Sequence, residues 1–273
     1  MNPWAESFVA LVVAAGGVLL GAWFSRRPSP YWLLGYFIPL LIIVAHALLG
    51  RVPQLGFTPL FSWMLMGRSK LIMIGLIVTM VLTTPMMKLP KRRDRIAVSL
   101  VMGILALGMS VWPCLAPVFC HRELAALTTR LDEDGICLQR TDYTCGPASA
   151  VTALRRLGFP AEEGEIAILA STAPSTGTPP DILAEALKKR YGPEGLVAQY
   201  RRFATVDELR GAGLVLAVIK FNLIMDHYVT VLNVDEQEVT VGDPLTGIHK
   251  YSHCDFAMEW RFVGVAVSRR AEK

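Results

Sequence analysis

The sequence predicts two structural classes in one chain. An α-helical membrane segment of about four spans occupies residues 1–122, and an α+β domain with an antiparallel sheet occupies residues 123–273. Three observations predict this. Apolar residues make up 53% of the 273 positions and charged residues 18%, against roughly 45–50% and about 25% in an ordinary soluble domain. Charge is unevenly divided: residues 1–120 hold 10 Lys and Arg against 2 Asp and Glu, whereas residues 121–273 hold 17 against 21. Long apolar runs fall in the first half, and alternating helix and strand signals in the second. A single soluble globule is therefore excluded. So is a nucleic-acid partner inferred from the formal net charge of +4, which describes neither half.

A spanning helix needs about 20 mostly apolar residues. Residues 8–24, 31–49, 71–87 and 96–118 meet this, and His46 is the one ionisable residue within them. The first run is not a signal peptide by pattern, because Glu6 precedes it and Arg26–Arg27 follow it. Loop charge sets the orientation. Arg26, Arg27, Lys88, Lys91, Arg92, Arg93 and Arg95 lie on one side, against Arg51, Arg68 and Lys70 on the other. The more basic side is cytoplasmic, so four spans leave both termini outside the cytoplasm. Pro53–Met66 is apolar but short and holds two prolines, which suits an interfacial or re-entrant stretch. His46 lies one turn from a span end beside Arg51 and is expected to reach headgroup water. With no charged pathway, the spans read as an anchor in the lipid bilayer.

In the second half, Gly146–Leu157 reads as a helix, with Ala148, Val151, Leu154 and Leu157 at helical spacing and Gly158 beyond. Glu165–Ala170 is a short helix. Residues 171–180, rich in Ser, Thr, Pro and Gly, form a loop, and Asp181–Arg190 is a further helix. Val197–Phe203 and Leu214–Phe221 read as strands, with a short helix capped by Thr205 between them. His227–Val234 and Glu238–Val241 flank Asp235–Gln237 as a hairpin. Ser252–Trp260 reads as a helix and Phe262–Val267 as a closing strand. Helices before an antiparallel sheet give an α+β order.

Five cysteines occur, with no C-x-x-C pair. Cys145 stands just before a helix whose first turn accepts Pro147. A thiol there meets unpaired N–H groups and the positive end of the helix dipole, which favour the thiolate. Gly146 would let a substrate backbone approach. Taken alone, Cys145 is equally well a buried structural cysteine. A nucleophile needs a base, and the base an orienting group. His227 opens an apolar strand, and Asp243 lies at a comparable distance from the hairpin tip on the partner strand. The two can be neighbours, about 5 Å apart at Cβ, although a bulge would exchange their faces. Thr176, Gly177 and Thr178 could line a cleft or merely connect two helices. His249, His253 and Cys254 gather no further ligand, so no metal and no cofactor is expected. Cys114 and Cys120 are a candidate pair in an oxidising compartment, and Cys137 a candidate for oxidation with Cys145.

Gln139…Cys145-Gly146-Pro147-Ala148, His227-Tyr228-Val229 and Asp243-Pro244…Gly247 together resemble the bacteriocin-processing, double-glycine-leader cysteine peptidases. The resemblance spans about 130 residues, with a Gln-to-Cys gap of six and a His-to-Asp gap of 16. It implies a papain-like fold, with Cys145 as nucleophile, His227 as general base, Asp243 as its orienting acid and Gln139 as an oxyanion-hole donor. Members are often fused to export ATPases. Here the domain follows the membrane segment, and no G-x-x-x-x-G-K-[ST] motif is present.

The resulting expectation is a multi-pass integral membrane protein of a bacterial inner membrane, with its peptidase domain outside the cytoplasm. Its chemistry is that of a thiol hydrolase acting on a peptide or protein near the bilayer. A separate membrane transporter or protease is the partner class. Two rivals are acyl transfer to an amine from the same thioester, and a non-catalytic module that recruits substrate. The second predicts that Cys145 is dispensable.

Overall fold

The structure is a computed structural model that describes residues 3–51, 68–221 and 225–270. Pro53–Met66, expected at the membrane interface, lies outside the described residues. Two compact units are present, Met1–Ala116 and Pro117–Lys273.

The first unit contains α1 (Pro3–Ser25), a 3-10 turn (Tyr31–Tyr36) running into α2 (Phe37–Arg51), α3 (Ser69–Thr83) and α4 (Arg92–Ala106). A π-turn at Leu107–Val111 links α4 to α5 (Trp112–Phe119), and α6 (His121–Ala125) follows in the second unit. Four helical stretches are long and apolar enough to cross a membrane: Pro3–Ser25, Tyr31–Leu48, Ser69–Lys88 and Arg92–Ala125. Helices α1 and α3 approach closely through small residues. A Cβ on Gly17 would lie 2.9 Å from the Leu76 carbonyl oxygen, the kind of contact that draws helices together in lipid.

One expectation for this segment is corrected. Glu6, placed before the first span, lies inside α1, where its Oε2 meets Arg68 Nη1 at 2.9 Å with both side chains buried. Proline is tolerated in a first helical turn, so the helix begins at Pro3 and carries Glu6 with it. The ring nitrogens of His46 have no hydrogen-bond partner among the described residues.

The second unit is built on a six-stranded antiparallel sheet: β3 (Leu196–Arg202), β4 (Leu214–Lys220), β5 (Asp226–Val234), β6 (Glu238–Asp243), β7 (Gly247–Ser252) and β8 (Trp260–Arg269). The strand order is β3-β8-β4-β5-β6-β7. A small ribbon, β1 (Arg130–Leu131) with β2 (Cys137–Leu138), precedes it. The helices are α7 (Cys145–Arg156), α8 (Glu163–Leu169), α9 (Pro180–Tyr191) and α10 (His253–Glu259). Val151 and Leu154 of α7 and Leu183 and Leu187 of α9 share one core with Leu216, Val218 and Val265. Val215, Ala217, Ile219, Val229 and Val241 meet Phe256 and Trp260 on the other face. Burial on both faces accounts for the unbroken apolar run in β4, which alternation could not explain. Strands β1, β2 and β7 were not legible in the sequence. Two of them are only two residues long, and β7 is an edge strand with exposed Ile248, His249 and Lys250.

Candidate active site

Cys145 is the first residue of α7, and Thr144 is its N-cap. The Cys145 N–H belongs to the first turn, so it has no intrahelical acceptor and points out of the helix end. Across from it, His227 is the second residue of β5. Its Nε2 lies 2.8 Å from Asp243 Oδ1, and the Cys145 thiol is near enough to raise the imidazole pKa. With Nε2 committed to Asp243, Nδ1 is the nitrogen left for the thiol. Both partners are shielded, the His227 side chain being 6% and that of Asp243 14% exposed.

Burial lowers the His227 pKa, but the hydrogen bond to Asp243 and the proximity of the Cys145 and Asp243 negative charges outweigh it, raising the imidazole to about 9. For Asp243, burial works upward. The hydrogen bonds from His227 and from the Leu245 N–H, at 2.8 Å, win and hold its carboxyl below the usual range. Phe221 packs over the imidazole, ring centroids 5.6 Å apart.

The pairing of β5 with β6 decides the faces. Val234 opposes Val239 and Asn233 opposes Thr240, but Val231 opposes Val241 and Thr230 opposes Gly242. One residue of β5, Leu232, is therefore surplus, a β-bulge. Continued beyond Gly242, this register sets Asp243 beside Val229 and hence on the face of His227. An unbroken ladder would set it beside Thr230, facing away.

Gln139 follows β2. Its N–H donates to the Pro244 carbonyl at 2.9 Å, tying it to the loop after Asp243. Its Nε2 donates to the Thr141 carbonyl at 2.7 Å, and its buried Oε1 has no partner among the described residues. One of the two amide hydrogens remains for an oxyanion.

Gly146 has a different basis from the one expected. A Cβ there would lie 3.0 Å from Thr178 Cβ and 3.3 Å from Tyr228 Cε2, so protein side chains, not a substrate, occupy that space. Thr178 is likewise buried, its Oγ1 2.8 Å from Thr172 Oγ1 and its carbonyl accepting the Tyr228 hydroxyl at 2.9 Å. It braces the start of α7. Thr176 and Gly177 form the tip of a small turn closed by Gly177 N–H to Ala173 O at 2.8 Å.

Sequence reasoning missed the residues that fix helix to strand. Ser149, one turn beyond Cys145, donates through Oγ to the Tyr228 carbonyl at 3.2 Å, and its own carbonyl accepts the Thr230 hydroxyl at 2.8 Å. The polar Ser149 and Thr152 on an otherwise apolar helix face were the available signal, since buried hydroxyls need partners.

All five cysteines are free, so the candidate Cys114–Cys120 pair is not formed. Cys137 is fully buried, and burial pushes its thiol up to about 12. That removes it as a redox partner of Cys145, because the thiolate is the reactive form. His249 bonds to Thr246 Oγ1 at 2.6 Å and His253 to the Asp235 carbonyl at 3.1 Å. No cluster of three or more metal-ligating side chains occurs among the described residues.

An α+β domain with a thiol at a helix start and a His–Asp pair on adjacent strands has the architecture of a papain-like cysteine peptidase. The Peptidase C39 family model matches residues 134–272. The chain belongs to that family, whose members are cysteine peptidases. An uncharacterized protein of Methanothermobacter thermautotrophicus is 31% identical over 125 residues, covering 46% of this chain and 82% of the relative. One from Methanothermobacter marburgensis is 30% identical over the same coverage. Among solved structures, a double glycine motif protease from an AMS/PCAT transporter, in complex with the leader peptide, is similar. It has a TM-score of 0.42 and 16% identity, covering 52% of this chain and 91% of that one. The peptidase domain of Streptococcus ComA, a bi-functional ABC transporter, gives 0.42 and 20%, covering 49% and 96%.

Proposed function

We propose that this chain is a membrane-anchored cysteine peptidase that cuts a peptide or protein close to the bilayer, with residues 1–122 as anchor and 123–273 as catalytic domain. The observation that carries the reading is the His227 ring bonded to Asp243 and set near the Cys145 thiol at the start of α7.

The chemistry follows from these groups. The Cys145 thiolate attacks the scissile carbonyl, forming a C–S bond and an oxyanion. The Cys145 N–H and the free Gln139 amide hydrogen receive that oxyanion. Protonated His227 gives its proton to the leaving amine as the C–N bond breaks, then takes one from water, which attacks the thioester and releases acid and thiolate. Asp243 keeps the ring oriented throughout.

Loop charge favours an extracytoplasmic catalytic domain. A membrane transporter that carries the substrate peptide is the partner suited to an enzyme anchored beside the bilayer.

The test is a thiol-directed active-site probe applied to wild-type and Cys145→Ala protein in membranes. Labelling of the wild type alone is expected, and equal labelling of the mutant would sink the proposal. External protease on intact cells should cut within residues 125–273, and protection of that region would reverse the orientation.

A further inference from the structure

The segment that carries Gln139 and Cys145 is held from below by a carboxylate with no part in the mechanism above. Glu163, in the first turn of α8, is fully buried. Its Oε1 accepts the N–H of Arg140, the residue beside Gln139, at 2.9 Å. The other end of the turn is closed by Thr144, the N-cap of α7, whose Oγ1 accepts the Thr141 N–H and donates to the Thr141 carbonyl, each at 3.2 Å. The main chain of Glu163 is itself anchored, its N–H donating to Thr129 Oγ1 at 2.9 Å. One acid thus fixes the main chain beside Gln139, at the start of the turn that leads to Cys145. Burying it is costly: its Oε2 has no partner among the described residues, and burial raises its pKa despite the neighbouring Thr144 hydroxyl and Arg140 N–H. A leucine of similar volume would fill the space without that cost, so the carboxylate is explained by the Arg140 N–H it accepts.

We propose that Glu163 is a positioning residue that holds residues 139–145 in the conformation in which the Gln139 amide and the Cys145 N–H converge on one oxyanion. This rests on the peptidase reading of Cys145. Alanine at 163 removes the acceptor of the Arg140 N–H and frees the turn, and small misplacements of catalytic donors slow reactions steeply. Glutamine keeps an acceptor for Arg140 in a side chain of the same shape, so it should substitute.

Two thiol reactions separate positioning from folding. Acylation of Cys145 by p-nitrophenyl acetate forms a C–S bond, passes through an oxyanion and expels p-nitrophenolate. Alkylation by iodoacetamide forms a C–S bond and expels iodide with no oxyanion. Both rates are read at the Cys145 peptide by mass spectrometry on the full-length protein. For Glu163→Ala, acylation should slow by about tenfold or more, while alkylation stays within about threefold of wild type. Glu163→Gln should retain both rates. Wild-type acylation in the alanine variant, an equal loss of both reactions, or a glutamine variant as impaired as alanine would each overturn the proposal. A wild-type Cys145 that alkylates no faster than free cysteine would overturn the peptidase reading instead.

Discussion

Asp243 shares a sheet face with His227, and its Oδ1 lies 2.8 Å from the imidazole Nε2, because Leu232 is one residue more than the hairpin ladder requires. Register in a strand is a binary matter, since a slip of one residue turns every side chain over. The bulge absorbs the surplus before the ladder reaches Asp243. Deleting Leu232 therefore removes only the surplus residue, and the rate of Cys145 alkylation by iodoacetamide should stay within about threefold. Inserting one alanine between Val241 and Gly242 displaces Asp243 by one place. Peptide cleavage should then fall by roughly 10²-fold. A Leu232 deletion that lowered peptide cleavage as far as the insertion does would show that Leu232 is not the surplus residue.

The pH profile should have an alkaline limit set by His227. Its pKa rises from an ordinary 6.5 to about 9, so the imidazolium that protonates the leaving amine persists to about pH 9 and is lost above it. For stability the sign is the same. The contribution of the protonated ring is fully present below about 6.5 and is lost as pH rises through about 9. The Asp243 contribution is present above its ordinary 3.8 and is lost as pH falls through its depressed value. In Asp243→Asn the charge that raises the imidazole is gone, so the alkaline limit should move to lower pH. An unmoved limit would detach it from His227.

Gln139→Ala should lower acylation of Cys145 by p-nitrophenyl acetate by about 10²-fold, the usual cost of one oxyanion donor. Alkylation by iodoacetamide should be nearly unchanged, because that reaction builds no oxyanion. A parallel loss of both would mean that Gln139 acts on the thiol or on the fold.

Gly146→Ala tests the brace at the start of α7. The added methyl would sit 3.0 Å from Thr178 Cβ and 3.3 Å from Tyr228 Cε2, an overpacking worth about 1–3 kcal/mol. Thermal unfolding of the full chain in detergent should register that loss. A variant as stable as wild type would leave the space open for substrate after all.

Competition between the cysteines gives a simple check. Under native conditions iodoacetamide should modify Cys145 well before Cys137, whose thiol is buried and pushed up to about 12. Modification of Cys137 first, seen by peptide mass spectrometry, would contradict the packing of β2 beneath α7.

Much of the fold was legible because its signals are local. The four apolar runs are read from length and composition alone, while the period of α7 and the unbroken run of β4 reflect burial that each segment meets on its own account. Cys145, His227, Asp243 and Gln139 were singled out by residue type, spacing and resemblance, and the structure brings the first three together. Contacts that pair distant positions left no such trace. Glu6 and Arg68 are 62 residues apart, and the Ser149–Tyr228 bond joins positions 79 apart. Each of those residues by itself reads as an ordinary surface or core position.

By itself, then, the sequence determined the two-part architecture and the sheet-rich character of the second half, which depend on composition and periodicity along the chain, and it singled out the candidate reactive groups by type, spacing and resemblance. Only the tertiary structure decided on which face Asp243 stands, which side chains crowd Gly146, and which buried carboxylate holds the main chain beside Gln139. Those depend on one surplus residue in a ladder and on side chains that meet across the core. A linear pattern carries the propensity of each strand and helix, but not the register in which they are joined.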